Sequence, residues 1–499
     1  GLILTHNLYG IEIDERAGAL ASFALDMKTA KRLGRRRFFR MDVKPQICVL
    51  ENIIFEQSEM DDVVSIVGRD LYTADLRETL TQFEHAKNFG SLIVPQLKNP
   101  TETARLVETK DLLGDLLLSH VHQRLLKVLE MSEYLSCRYH VVVANPPYMG
   151  GKGMNGLLAK WLKDNYPDVK SDLFSAFIVR NTQLTLPFGQ LGFMTPFVWM
   201  FISSYEKLRE FILNQKTLTS LIQLEYSGFD GATVPICAFT IQNSYQPTFR
   251  GGYVKLSDFK GAKNQAPKTL EAIQNPDCGW FYRTSGRDFG KIPGSPVAYW
   301  ISQGFKDVFK TSTPLANFGD IGKGLDTGDN DRFLRQWYEV SGPSDCWVPC
   351  QKGGAFRKWY GNNAVLINWK DDGYELKTFA GSNLRNSHNY FKSGLSWTRV
   401  SSASTAFRWF PKGYIFESTG PCVFPKNIAV KSLAGFLNSS LTEKVLQFIA
   451  PTLDFQSGHI SSLPIKPISW ESDELIGVSD TCIKLSKDDW DAYERSWDF

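Results

Sequence analysis

Up to about residue 245 the chain alternates short apolar runs with longer stretches of helical character, and this alternation limits the fold more than any other feature. NLYGIEID, HVVVAN, LGFMTPF and LTSLIQLEY are separated by segments such as RAGALASFALDMKTAKRL and LFSAFIVRNTQLTL. Strands that recur with helices between them build a mostly parallel sheet, so residues 1–245 are expected to form an α/β domain. At 499 residues, 43% hydrophobic and 22% charged, the chain can bury two or three cores and leaves little room for wholesale disorder.

The rest divides by composition. Residues 246–310 are rich in Gly, Pro and Lys and read as a spacer. Residues 311–465 are aromatic, Gly-rich and short-stranded, a second domain of mixed α+β kind, and 466–499 read as a helical tail. The opening GLILTHNLYGIEID starts inside what reads as a domain, so an N-terminal segment or a separate chain is expected to complete it. A net charge of +3 is too small to assign a partner, and any nucleic-acid surface must come from local clustering. The eight cysteines, at 48, 137, 237, 278, 346, 350, 422 and 482, are scattered, with no His spaced to complete a zinc site around CWVPC. With no disulfide-like framework, no secretory signal and no apolar run long enough to cross a bilayer, a reducing cytoplasm is the expected location, and no metal is expected.

Two segments carry chemistry. VVVANPPYMG, Val141 to Gly150, is a short apolar strand that ends in an Asn, two prolines and a Tyr. Pro146 and Pro147 lock their own φ and bias the residues before them toward extended geometry, which holds Asn145 and Tyr148 on a stiff loop. Such a loop suits methylation of an exocyclic amine. The N6 nitrogen of adenine is a poor nucleophile because its lone pair is conjugated into the ring, and two acceptors taking its hydrogens favour the reactive form. The Asn145 side-chain oxygen and the Pro146 carbonyl are candidates for those acceptors. Tyr148 would offer a flat face to a flipped base, a contact of about 1–3 kcal/mol. The competing reading is an ordinary Pro-Pro turn with a surface Tyr. The second segment is LYGIEID, where Glu12 closes a strand at the position at which doubly wound folds place a carboxylate for ribose hydroxyls. Glu12 or Asp14 could equally cap the helix that follows.

With these motifs the chain resembles the N6-adenine DNA methyltransferases in which the cofactor half precedes NPPY and a target-recognition domain follows, and among them the PglX family of BREX phage-defence systems. The resemblance implies a Rossmann-like, S-adenosyl-L-methionine-dependent methyltransferase domain, incomplete at its N-terminus, followed by the recognition domain. It places Glu12 on the ribose, Ile13 against the cofactor adenine, and Ser91 of NFGSLIVP where the family's next cofactor contact lies, usually an Asp. SDLFSAFIVR and GQLGFMTPFVWM match the helix and strand that follow NPPY. LEYSGFDGATVPICAFTIQN resembles the segment whose aromatic residue, here Phe229, packs on the other face of the flipped base. IGKGLDTGDNDRFLRQW, QKGGAFRKWYGNN, GLSWTRVSS and APTLDFQSGHISSLPI resemble recognition domains of single-chain restriction-modification enzymes. Within them Lys323, Lys352, Arg357, Lys358 and Arg399 lie among Gly, Asn and aromatic residues and are candidate contacts to double-stranded DNA. The basic run KRLGRRRFFR is instead read as the usual positive end of a helix.

Besides Ser91, the chain departs from the family before its acidic strand, and family members of this type are considerably longer. The family carries a Gly-rich cofactor loop before the acidic strand, and nothing upstream of Leu8 has that form. Other phage-defence components are the further partners implied. A non-catalytic DNA-inspecting subunit and a protein-glutamine methyltransferase are the competing functions. The amine clamp argues against the first and the long recognition domain against the second.

Overall fold

The computed structural model describes residues 2–499 apart from 41–42, 111–115, 230, 232–233, 402–403, 451–453 and 467–471. Its contacts divide the chain into two units, one of residues 1–196, 215–246 and 260–262, the other of residues 197–214, 247–259 and 263–499.

The first unit is the expected α/β domain. Strand β1 (Tyr9–Glu12) pairs in parallel with β2 (Gln46–Val49), from Tyr9 opposite Gln46 to Glu12 opposite Val49, and helix α1 (Glu15–Leu33) joins them. Gly18 is the one buried residue of α1, and a Cβ there would lie 2.7 Å from Val49 Cγ2, so a larger side chain would push the helix off the strands. Helix α2 (Leu116–Ser136) leads into β3 (Tyr139–Ala144), which runs parallel to β4 (Thr185–Pro196). Helix α3 (Leu173–Gln183) lies between those two strands in sequence. After β4 come β5 (Thr217–Gln223) and β6 (Ile236–Gln242), with β6 antiparallel to both β4 and β5, so the strands lie in the order β3-β4-β6-β5.

The sheet of this unit is in two pieces. Among the described residues β1 pairs only with β2 and β3 only with β4, so each keeps one unpaired edge. The two pieces meet through side chains at the strand starts. The Tyr9 ring lies 5.9 Å from that of Tyr134 and 5.5 Å from that of Tyr139, and the Tyr134 hydroxyl donates to Gln46 Oε1 at 2.8 Å. Parallel strands are normally covered on both faces. Here Val141 and Val143 are 60% and 78% exposed, and α1 leaves Leu20, Phe23 and Met27 exposed at helical spacing.

The second unit is built of short strands and helices. One antiparallel sheet runs Gly319–Gly322, Cys422–Pro425, Gly394–Trp397, Phe407–Phe410; a mixed one runs Leu334–Gln336, Val365–Asn368, Trp347–Gln351, Ile415–Phe416. Phe333, Ile367, Trp369, Tyr390, Phe416 and Phe424 belong to the core packed around them. The region read as a spacer is structured: Arg250–Lys255 and Phe281–Ser285 pair antiparallel, and buried Tyr253 stacks on Tyr299 at 5.0 Å. The tail is a helix, Asp473–Asp491, whose Trp490 is buried with Tyr360 and Ile483. No described helix is long and apolar enough to cross a membrane.

Candidate active site

The Asn145–Tyr148 loop leaves the end of β3 with Asn145 exposed and Pro146 buried. The Tyr148 hydroxyl lies 3.0 Å from Asn145 Oδ1 and 3.1 Å from the Met194 carbonyl, so its one proton is shared between two acceptors. Asn145 Oδ1 has no other partner among the described residues. The Pro146 carbonyl has no partner among the described residues. Burial pushes the Tyr148 hydroxyl pKa up, which keeps it a donor, while its ring stays 41% exposed. Behind the loop, Asp172 Oδ1 accepts from the Met149 amide at 3.0 Å and from Phe174 at 3.3 Å, and the Leu173 amide donates to the Met149 carbonyl at 3.0 Å. Asp172 therefore caps α3 and clasps the residue after Tyr148 with one oxygen. Burial pushes its carboxyl pKa up against the amide hydrogen bonds that lower it.

At the end of β1 the two acids have separate tasks. Asp14 is the helix cap, accepting from Arg16 N at 2.8 Å and Ala17 N at 3.0 Å, and these bonds, that from Ala17 foremost, hold its carboxyl below the usual range. Glu12 Oε1 accepts from the amides of Ile13 (2.8 Å) and Asp14 (3.2 Å), while Oε2 has no partner among the described residues. Ile13 is 45% exposed and packs beside Gly90, where an added Cβ would sit 3.4 Å from its Cγ2. Gly90 has φ +58°, so the turn that presents Ser91 starts from a backbone conformation that favours glycine. The structure thus brings Glu12, Ile13 and the Gly90–Leu92 turn to one corner of the first unit.

Phe229 follows β5, is 41% exposed, and lies in a loop tied by Glu225, which accepts from Ser227 N at 2.9 Å and Gly261 N at 3.4 Å. Residues 230 and 232–233 of that segment, and 451–453 of APTLDFQSGHI, lie outside the described residues. In the second unit four of the five candidate DNA cations are engaged within the chain. Arg399 forms a two-pronged pair with Asp454 at 2.8 and 3.0 Å. Arg357 bonds Asp489 and lies over the Trp490 ring. Lys358 donates to the Asn438 carbonyl at 3.3 Å, and Lys352 stands 3.9 Å from Glu417. The Lys323 ammonium has no partner among the described residues; its carbonyl accepts from Asn386 at 2.9 Å.

Two side chains that the motifs did not single out hold this corner together. Asp172 is one. Arg180 is the other, 2% exposed on α3, donating from Nε to the carbonyls of Ser91 (3.0 Å) and Ile93 (3.2 Å) and from Nη2 to Ile93 (2.8 Å) and Leu135 (2.6 Å). Burial pushes its pKa down to about 10, which leaves it charged at neutral pH. A signal for both stood in SDLFSAFIVR: an Asp at an N-cap position and a lone cation in an apolar helix.

Residues 6–229 match the family described as Eco57I restriction-modification methylase. Over its whole length the chain is 32% identical to the adenine-specific methyltransferase PglX of Lacticaseibacillus casei (strain Zhang) and 34% identical to the adenine-specific methyltransferase BrxX of Escherichia coli O9:H4 (strain HS). It spans 43% of the length of each. Among solved structures, the ATP-dependent Type ISP restriction-modification enzyme LlaBIII bound to DNA aligns with a TM-score of 0.52 and 11% identity, covering 97% of this chain and 37% of that one. At that identity the likeness is one of fold.

Proposed function

From its similarity to the adenine-specific methyltransferases PglX and BrxX we propose that the chain carries the acceptor half of a site that methylates adenine N6 in double-stranded DNA. The observation that carries the reading is the loop after β3. It presents the Asn145 oxygen and the Pro146 carbonyl as two acceptors, beside the half-exposed ring of Tyr148. A target adenine turned out of the duplex would lie on the Tyr148 ring, with Phe229 as the candidate for its other face. Its amino hydrogens would go to Asn145 and Pro146, which localises the N6 lone pair on nitrogen. S-adenosyl-L-methionine, when bound, supplies an electrophilic methyl group. The described residues suit one side of that cofactor: Glu12 Oε2 is free to accept from ribose hydroxyls, and exposed Ile13 beside Gly90 and Ser91 offers an apolar surface to the adenine.

The other side of the cofactor pocket is proposed to come from polypeptide outside these residues. We place a slot for one parallel strand between the unpaired edges of β1 and β3. The bare face formed by Val141 and Val143, with the Leu20, Phe23 and Met27 stripe of α1, asks for an apolar cover such as a helix. A strand, a turn rich in backbone amides and a covering helix would supply what the cofactor needs there. The second unit is proposed as the target-recognition part. Lys323 is its candidate for direct contact with DNA, while Arg357, Lys358 and Arg399 are engaged within the chain. A role in a phage-defence system, with other components of that system as partners, is proposed from the same similarity. Sequencing that detects N6-methyladenine, run on host DNA with and without the protein, is expected to find one methylated site class that depends on it. Identical methylation in both samples contradicts the proposal.

A further inference from the structure

Helix α3 is bonded, at its start and two turns further on, to the two loops that the proposed reaction must bring into register. At its start Asp172 Oδ1 takes the Met149 amide, one residue beyond Tyr148, and the Leu173 amide takes the Met149 carbonyl. Two turns later Arg180 donates to the carbonyls of Ser91 and Ile93, in the turn packed beside Ile13, and to Leu135 at the end of the helix that leads into β3. Eight residues of α-helix span about 12 Å, so the backbone between these clasps is a spacer of fixed length.

The chemistry of Arg180 supports the same point. It is a buried guanidinium with no carboxylate bonded to it among the described residues, and a charge in that position costs stability unless carbonyls occupy its donors. A planar fork of fixed geometry can reach three separate carbonyls at once; an ammonium on a flexible stem cannot hold all three in the same arrangement. The Tyr166 hydroxyl adds a further bond to the same turn, at the Leu92 carbonyl, 2.8 Å away. Three consecutive carbonyls, of Ser91, Leu92 and Ile93, are thereby held by the buried side chains of Arg180 and Tyr166.

We propose that α3 sets the distance between the acceptor loop and the cofactor-side turn, with Asp172 and Arg180 as positioning residues for methyl transfer. The proposal rests on the reading of Asn145–Tyr148 as the amine clamp and goes beyond it. In-line transfer requires the reacting atoms within about 3–3.5 Å, and a displacement of about 1 Å costs on the order of a hundredfold in rate. Neither residue touches the base or the cofactor, so loosening either should misalign the reaction without weakening the binding of DNA.

The test compares Arg180→Lys, Asp172→Ala and Asp172→Asn with the unsubstituted protein, in the form that methylates genomic DNA. Tritiated S-adenosyl-L-methionine and bulk genomic DNA lacking N6-methyladenine are the probes, and rates are taken per folded molecule from the denaturation curve of each variant. Arg180→Lys and Asp172→Ala are expected to lower kcat about a hundredfold, with KM for S-adenosyl-L-methionine and duplex Kd within about threefold of the unsubstituted values. Asp172→Asn keeps an oxygen for the Met149 amide and is expected to retain kcat within about threefold. Equal kcat per folded molecule in Arg180→Lys and Asp172→Ala, with only Tm lowered, overturns the proposal and leaves both residues as supports of the fold. If Arg180→Lys does not fold, the Asp172 pair decides alone. An unsubstituted protein that transfers no methyl group to adenine overturns the amine-clamp reading instead, so the two failures are distinct.

Discussion

Val143 offers a direct way to ask whether the open face of the first unit is covered in the working protein. It is 78% exposed on β3, where a strand of a parallel sheet would ordinarily be buried. Burying a whole Val side chain gains about 1.5–3 kcal/mol, so with most of that surface still in water about 1–2 kcal/mol remains to be gained by covering it. A lysine at the position forfeits that gain and places a charge under the cover, for a total cost of about 3 kcal/mol, or about a hundredfold in an association constant. In residues 1–499 alone the same substitution lies on the surface and should stay within about 0.5 kcal/mol. The assay is urea denaturation of Val143→Lys in two settings: these residues alone, and these residues joined to the part of a longer relative such as PglX that they do not span. A small change in the first and a loss of about 3 kcal/mol in the second is the expected pair of results. Equally small changes in both would refute the slot and its cover, and a large loss in the chain alone would mean that the face is already buried.

The other predictions concern separate parts of the molecule. Tyr148→Ala should weaken capture of a flipped 2-aminopurine by about 1–3 kcal/mol while Tyr148→Phe, which keeps the ring, retains most of it; equal fluorescence changes in both would remove the stacking role. Arg399→Met should destabilise the second unit, and a double-mutant cycle with Asp454→Asn should return a coupling of about 1 kcal/mol; additivity would show the pair to be energetically idle. His459 is buried and accepts from Gln456 N at Nδ1, a role for the neutral ring, and burial holds its pKa below the usual value. The unfolded ring takes up protons that the folded one resists, so this stabilisation is complete above about pH 6.5 and is lost as pH falls, by up to about 1.4 kcal/mol per pH unit. Thermal denaturation between pH 7.5 and 5 should therefore steepen in the unsubstituted protein and flatten in His459→Gln; identical slopes would contradict the assignment.

Much of the first unit was legible because its signals are local. Alternating runs gave the α/β order, and the double proline after Val141–Ala144 fixed a stiff loop at the end of a strand. Which acid caps the helix was legible only in three dimensions, where Asp14 takes the amides of Arg16 and Ala17 and Glu12 Oε2 has no partner among the described residues. The cations of the second unit were harder to read because a partner carboxylate is set by the fold. Arg357 meets Asp489 across 132 residues and Arg399 meets Asp454 across 55. Gly, Pro and Lys content hid the strands at Arg250–Lys255 and Phe281–Ser285, whose aromatic packing involves Tyr253 and Tyr299, far apart in sequence. Arg180 reads as one cation in an apolar helix until the carbonyls of Ser91 and Ile93 come within reach of it.

The central claim is that Asn145 is an acceptor for the amine being methylated, and Asn145→Ala tests it most directly. Phosphate contacts dominate duplex affinity, so that binding should stay within about threefold. Loss of a preorganised hydrogen-bonding group at a reacting centre costs about 10²–10³ in rate, so N6-methyladenine, quantified by mass spectrometry of the digested DNA, should fall by at least that factor. Undiminished N6-methyladenine from the Asn145→Ala protein, under conditions in which the unsubstituted protein is active, would contradict the account.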